Sequence, residues 1–64
     1  MTVKECRKKS GLSITDVARK LGITWMEYIY YENNSHNMPV DVALLFSNIV
    51  NVPYNNIFFT NRSI

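Results

Sequence analysis

Apolar positions recur at helical spacing in four stretches of this chain, and the first three follow a residue that can cap a helix. The clearest stretch holds Val17, Ala18 and Leu21 at i, i+1 and i+4, one stripe of a helix. Ser13 stands in front of it with Asp16 three residues on, the serine–x–x–acid start signal in which side chain and backbone cap each other. Gly22 follows where the helix must stop, a position that often needs positive φ. The pattern predicts a helix over Ile14–Leu21. Thr24 and Glu27 repeat the device and predict the next helix from Thr24 to Asn33, with Tyr28, Tyr31 and Glu32 inward. Earlier, Val3, Cys6 and Arg7 share one side of a helix from Val3 to about Ser10, capped by Thr2 and stopped by Gly11. Later, Val42, Ala43, Phe46, Ile49 and Val50 form the core stripe of a helix that starts near Pro39, carries Asp41 in its first turn and closes at Asn51. Leu44 and Leu45 lie at the edge of that stripe or outside it, where they either widen the core contact or seed an interface. Pro53 opens a last short helix, Tyr54 to Phe58, with Val52, Ile57 and Phe58 inward.

These elements predict an all-α bundle of about five short helices. The second and third, each about two turns long and joined by about three residues at Gly22, make a helix-turn-helix. A chain of 64 residues forms one domain near the size where a single core is marginal, and 47% apolar content supplies that core. The reading assigns residues 1–59 to the domain and 60–64 to a short tail. Cys6 is alone, so an internal disulfide is impossible and the expectation is a buried thiol in a reducing cytosol. No run is long enough to span a bilayer and no signal peptide is visible, and the expectation is a cytoplasmic protein, with the nucleoid if it binds DNA. Net charge is only +2, yet Lys4, Arg7, Lys8, Lys9, Arg19 and Lys20 put six of the seven basic residues in the first 20. That basic end is either a solvated face or a phosphate clamp. No enzyme constellation and no cofactor motif are present. His36 has no second ligand at suitable spacing, so no metal site is expected.

From Arg7 to Asn34 the chain resembles the Cro/phage-repressor (XRE-like) type of helix-turn-helix domain. The matching residues are Arg7, Gly11-Leu12-Ser13, Val17-Ala18, Leu21-Gly22, Ile23-Thr24 and Glu32. Met38 to Ala43, Asn51-Val52 and Ile57-Phe58-Phe59 resemble the two C-terminal helices of that family, in the style of AT-rich Gram-positive bacteria and their phages. The resemblance extends over residues 3 to 59. Arg7 falls on an apolar face, where a buried guanidinium needs a partner. The resemblance names Glu32 as that partner, in a structural pair locking the first helix to the third. It also places a phosphate-gripping glutamine where this chain has Ile14, a glycine where it has Asn34, and basic residues in the loop Ser35–Met38, where only His36 can become cationic.

The third helix holds the recognition position, whose first turn enters the major groove in this family. Its outward face reads Trp25, Met26, Glu27, Ile29 and Tyr30, apolar and aromatic with one acid. One reading folds Trp25 back into the core and lays Tyr30 over a neighbouring helix. A second has Trp25, Met26 and Ile29 contact thymine methyls and Tyr30 a phosphate or base edge. A third makes the face an anchor for a protein partner. Ser13, Lys8, Arg19, Asn33, Asn34 and His36 are the candidate phosphate-backbone contacts. The functional expectation is a small phage- or mobile-element-type regulator that binds operator DNA, as a homodimer through Leu44, Leu45 and Phe59. The alternative is an antirepressor or modulator that binds a protein such as a repressor.

Overall fold

Each of the first three helices begins with the same local device. The computed structural model describes residues 1–59, and among them α1 spans Val3–Ser10, α2 Ile14–Leu21, α3 Trp25–Asn33 and α4 Val40–Val50. Thr2, Ser13 and Thr24 each accept from the backbone N–H three residues on, while Glu5, Asp16 and Glu27 reach back to the cap's own N–H. Two orphan amides are satisfied at each start, so the helix boundaries follow from residues only three apart. Gly11 and Gly22 end α1 and α2 at φ 78° and 76°, a left-handed conformation that costs glycine least.

The helices close around Tyr28 and Phe46, both fully buried, with Val3, Cys6, Val17, Ala18, Ala43, Val50 and Ile57. The Tyr28 and Phe46 rings are tilted at 31° with centroids 6.3 Å apart. α2 packs mainly on α3 and α4, and α1 packs on α4. Leu12, Ile14, Leu21, Ile23 and Tyr31 line the rim of the core. Burial also pushes the Cys6 thiol pKa up, which keeps it in the unreactive protonated form.

Arg7 is held where its helical position puts it. Its Nε donates to Glu32 Oε2 at 2.6 Å and its Nη1 to the Leu12 carbonyl at 3.2 Å. The two side chains are only 11% and 8% exposed, so the pair spans the closed seam between α1 and α3. The hydrogen bond to Glu32 holds the Arg7 pKa above its ordinary value, against the opposing effect of burial. Tyr28 lies beside this pair. Its hydroxyl is enclosed and has no hydrogen bond of ordinary geometry, and burial followed by the Glu32 carboxylate drives its pKa far upward.

Several expectations about the C-terminal third are corrected. The fifth helix is one 3₁₀ turn over Tyr54–Asn56, and Ile57 and Phe58 continue as extended chain. That chain forms a parallel bridge between Thr2 and Phe58, with Phe58 N–H donating to the Met1 carbonyl at 2.7 Å. The bridge turns Phe58 outward, leaving it 47% exposed, and turns Phe59 inward to stack on Tyr54 and pack on the core rim. Adjacent residues of extended chain point to opposite sides, so only one of the two can face the core. Phe59 is therefore a poor member of the dimer patch drawn with Leu44 and Leu45, both of which are exposed. Asn34, where the resemblance places a glycine and so a left-handed helix end, is not left-handed. It sits at φ −135°, because its N–H and its side-chain amide both donate to the Tyr30 carbonyl. The left-handed asparagine is Asn51, φ 59°, at the end of α4. The predicted tail, 60–64, lies outside the described residues.

Candidate nucleic-acid interface

α2 and α3 meet across the turn Gly22–Thr24 so that the first turn of α3 stands clear of the domain. Tyr28 fills the core from the inner face of α3, which leaves Trp25, Met26 and Tyr30 on the outer one. They are 55%, 64% and 50% exposed. Trp25 does not fold back into the core and Tyr30 does not lie buried under a neighbouring helix, so the inward alternative for this face is set aside. Ile29, also assigned to the outer face, is only partly exposed. Glu27 is exposed, but its Oε1 accepts from Thr24 N–H at 3.1 Å. The acid therefore works as the cap of α3 and neutralises part of the helix-end charge.

Beside the first turn of α3 an apolar groove runs between the helices, lined by Thr15, Ala18, Arg19, Ile23, Trp25 and Met26. Arg19 stands at its rim, exposed, with Nη2 donating to Asp16 Oδ1 at 3.1 Å. Asp16 is in turn tied to Ser13. The Ser13 hydroxyl and N–H, and then Arg19, hold its carboxyl below the ordinary range. The Ser13 hydroxyl is thus engaged in capping. Ile14, one residue on, packs at the core rim where the resemblance implies a polar grip.

At the other end of α3 the chain enters a second 3₁₀ turn, Ser35–Asn37. Asn33 and His36 are exposed there. Tyr30 Oη accepts from Asn37 Nδ2 at 2.6 Å, and its ring meets Tyr31 edge-on at 5.8 Å. Asn37 and Thr15 carry no sequence signal for the site. Asn37 is two helical turns beyond Tyr30 but lies past the end of the helix, so its approach depends on how the loop folds back.

The basic residues among the described ones do not form one cluster. Arg7 is consumed in the buried pair and Arg19 borders the groove of α2 and α3. Lys9 and Lys20 instead flank Leu12, Asn51 and Val52 at the C-terminal end of α4. α4 has no basic residue of its own in its last turn, and cations there complement the negative end of the helix dipole. Lys4 and Lys8 are exposed on α1.

Two short capped helices with an exposed first turn on the second define a helix-turn-helix domain. The family model described as helix-turn-helix matches residues 3–55, and the chain belongs to that family, in its Cro/repressor (XRE-like) type. Neither the comparison with curated proteins nor that with solved structures yields a match.

Proposed function

We propose that this protein is a small transcriptional regulator of the phage or mobile-element kind that binds operator DNA with α3 in the major groove. The observation that carries the reading is the exposed set Trp25, Met26 and Tyr30 on the helix that follows the turn of a helix-turn-helix. In this arrangement the N-terminal turn of the second helix meets base edges, and the first helix crosses the backbone. Trp25 and Met26 suit thymine methyl groups, which are apolar and lie in the major groove. Lys8, Arg19, Asn33 and His36 are the assigned backbone contacts, joined by Ser13 at the N-terminal end of α2 and by the side-chain amide of Asn34. Operator binding of this kind places the protein in the cytoplasm with the nucleoid, and a homodimer through the exposed Leu44 and Leu45 supplies two half-site readers.

The test is a salt titration of binding to random-sequence duplex DNA and to duplexes selected from a random pool. Log affinity falls linearly with log salt for a protein that neutralises phosphates. A wild-type protein with no DNA affinity at low salt ends this reading.

One observation favours a second reading, an antirepressor or modulator that binds a repressor-type protein. α3 carries no cation, and its exposed face continues into the apolar groove toward Ile23. Aromatic and methionine side chains of this kind anchor protein interfaces. Binding to such a partner would be nearly independent of salt.

A further inference from the structure

We infer that Tyr30 and Asn37 act as one unit, a pair of neutral hydrogen-bond donors for a DNA phosphate in which Asn37 positions the Tyr30 hydroxyl. The inference rests on the DNA-binding reading and deepens it.

A half-exposed tyrosine on a helix surface ordinarily leaves its hydroxyl to water. Here the side chain is held at its oxygen and at its ring edge, and the backbone that carries it is pinned as well. Asn37 Nδ2 donates to its oxygen at 2.6 Å, the Tyr31 ring meets it edge-on, and the Tyr30 carbonyl receives both amide donors of Asn34. The Asn37 N–H in turn donates to the Asn34 carbonyl at 2.9 Å, so the turn carrying Asn37 is fastened to the end of α3. Such an arrangement fixes a surface side chain before any ligand arrives, and binding then loses less conformational freedom.

The direction of the bond decides the chemistry. A phenol oxygen that accepts from an amide keeps its single O–H proton for another acceptor. The Asn37 amide uses one N–H on Tyr30 and keeps the second. Two donors thus stand side by side, and no other group among the described residues accepts from either. The matching ligand is an acceptor-only group with two adjacent oxygens, which describes the non-bridging oxygens of a phosphodiester. The place in the fold agrees. Tyr30 lies beyond the first turn of α3, and the turn Ser35–Asn37 follows the helix end. Base edges are met by the first turn, while what comes after it runs beside the backbone. The pair also stands where basic side chains are missing, since α3 has none and the turn has only His36.

The experiment compares wild type, Tyr30→Phe, Asn37→Ala and the double variant on a random-sequence duplex and on a duplex selected from a random pool. Thermal melts confirm that each variant is folded. Tyr30→Phe keeps the ring and removes the donor, and it should weaken binding to both duplexes by about tenfold, the scale of a hydrogen bond to a charged group. Asn37→Ala should do the same, and the double variant should be no weaker than the worse single one. Asn37→Asp, which accepts the phenol proton and adds a negative charge, should lose more than Asn37→Ala. Full binding by Tyr30→Phe overturns the inference while leaving the DNA reading intact. So does a loss confined to the selected duplex, which would mean a base edge, and so do additive losses, which would mean two independent contacts. Absence of DNA binding by the wild type overturns both.

Discussion

Arg7 Nε lies 2.6 Å from Glu32 Oε2, and this bond ties the middle of α1 to the end of α3 across a seam that leaves both side chains nearly closed from solvent. Both members of the pair are charged and nearly closed from water, so breaking it on one side strands a charge. Arg7→Ala should destabilise the fold by about 3 kcal/mol, because Glu32 is then buried without its partner. Arg7→Met combined with Glu32→Leu should recover most of that loss. Urea unfolding of the three variants checks this, and an Arg7→Ala protein as stable as wild type would remove the pair from the account.

The Tyr28 hydroxyl is enclosed next to the same pair without a hydrogen bond of ordinary geometry. An unsatisfied buried polar group is unfavourable, so deleting it should do no harm. Tyr28→Phe is expected to change stability by less than about 0.5 kcal/mol or to raise it, whereas Tyr28→Ala should cost about 3 to 5 kcal/mol through the cavity beside Phe46. A Tyr28→Phe loss of about 1 kcal/mol or more would show that the hydroxyl donates to Glu32 in solution.

Acid should weaken the protein through its helix caps. Bonds from Thr2 hold the Glu5 carboxyl below its ordinary pKa, and bonds from Ser13 do the same for Asp16. A carboxyl whose pKa is lower in the folded state adds stability that is complete above its unfolded pKa, about 4. That stability disappears as pH falls through the folded value. Thermal midpoints measured from pH 6 down to pH 2 should therefore drop at about pH 4 and below, and less in the variant Glu5→Gln with Asp16→Asn. Equal drops in variant and wild type would assign the acid sensitivity elsewhere.

Specific and non-specific contacts should separate by mutation. Trp25→Ala should change which duplex is preferred and cost about 1–3 kcal/mol of discrimination. Lys8→Ala and Arg19→Ala should instead weaken all duplexes about equally and reduce the salt slope by about one each. If the ligand is a protein, Trp25→Ala should cost about 2 kcal/mol or more and the basic variants should bind normally.

Self-association should depend on the exposed leucines of α4. Leu45→Lys is expected to yield monomers with an unchanged melting profile, read by sedimentation. A wild type that sediments as a monomer at high micromolar concentration without DNA removes the dimer.

Local chemistry made four helix starts and ends readable from the chain. Caps such as Ser13–Asp16 and Thr24–Glu27 span three residues, and the apolar stripes of α2 and α4 repeat within one or two turns. Neither needs knowledge of the rest of the fold. The side of Arg7 was legible in the same way, because a charge at i+4 on an apolar face has to meet a partner. Three-dimensional packing alone decided which way adjacent residues point once the helical period ends. Phe58 and Phe59 are indistinguishable by type, and the bridge to Thr2, from the far end of the chain, turns one out and the other in. The conformation of Asn34, in the place where the resemblance puts a glycine, was settled likewise, by two bonds from Asn34 to the Tyr30 carbonyl. Trp25 is exposed while Tyr28 of the same helix fills the core against Phe46, a division that the residue types do not announce. The basic residues, adjacent in sequence, part company because α1 and α2 present them to different neighbours. Sequence periodicity reports the spacing of side chains along one helix, and only the arrangement of the helices determines what each side chain then meets.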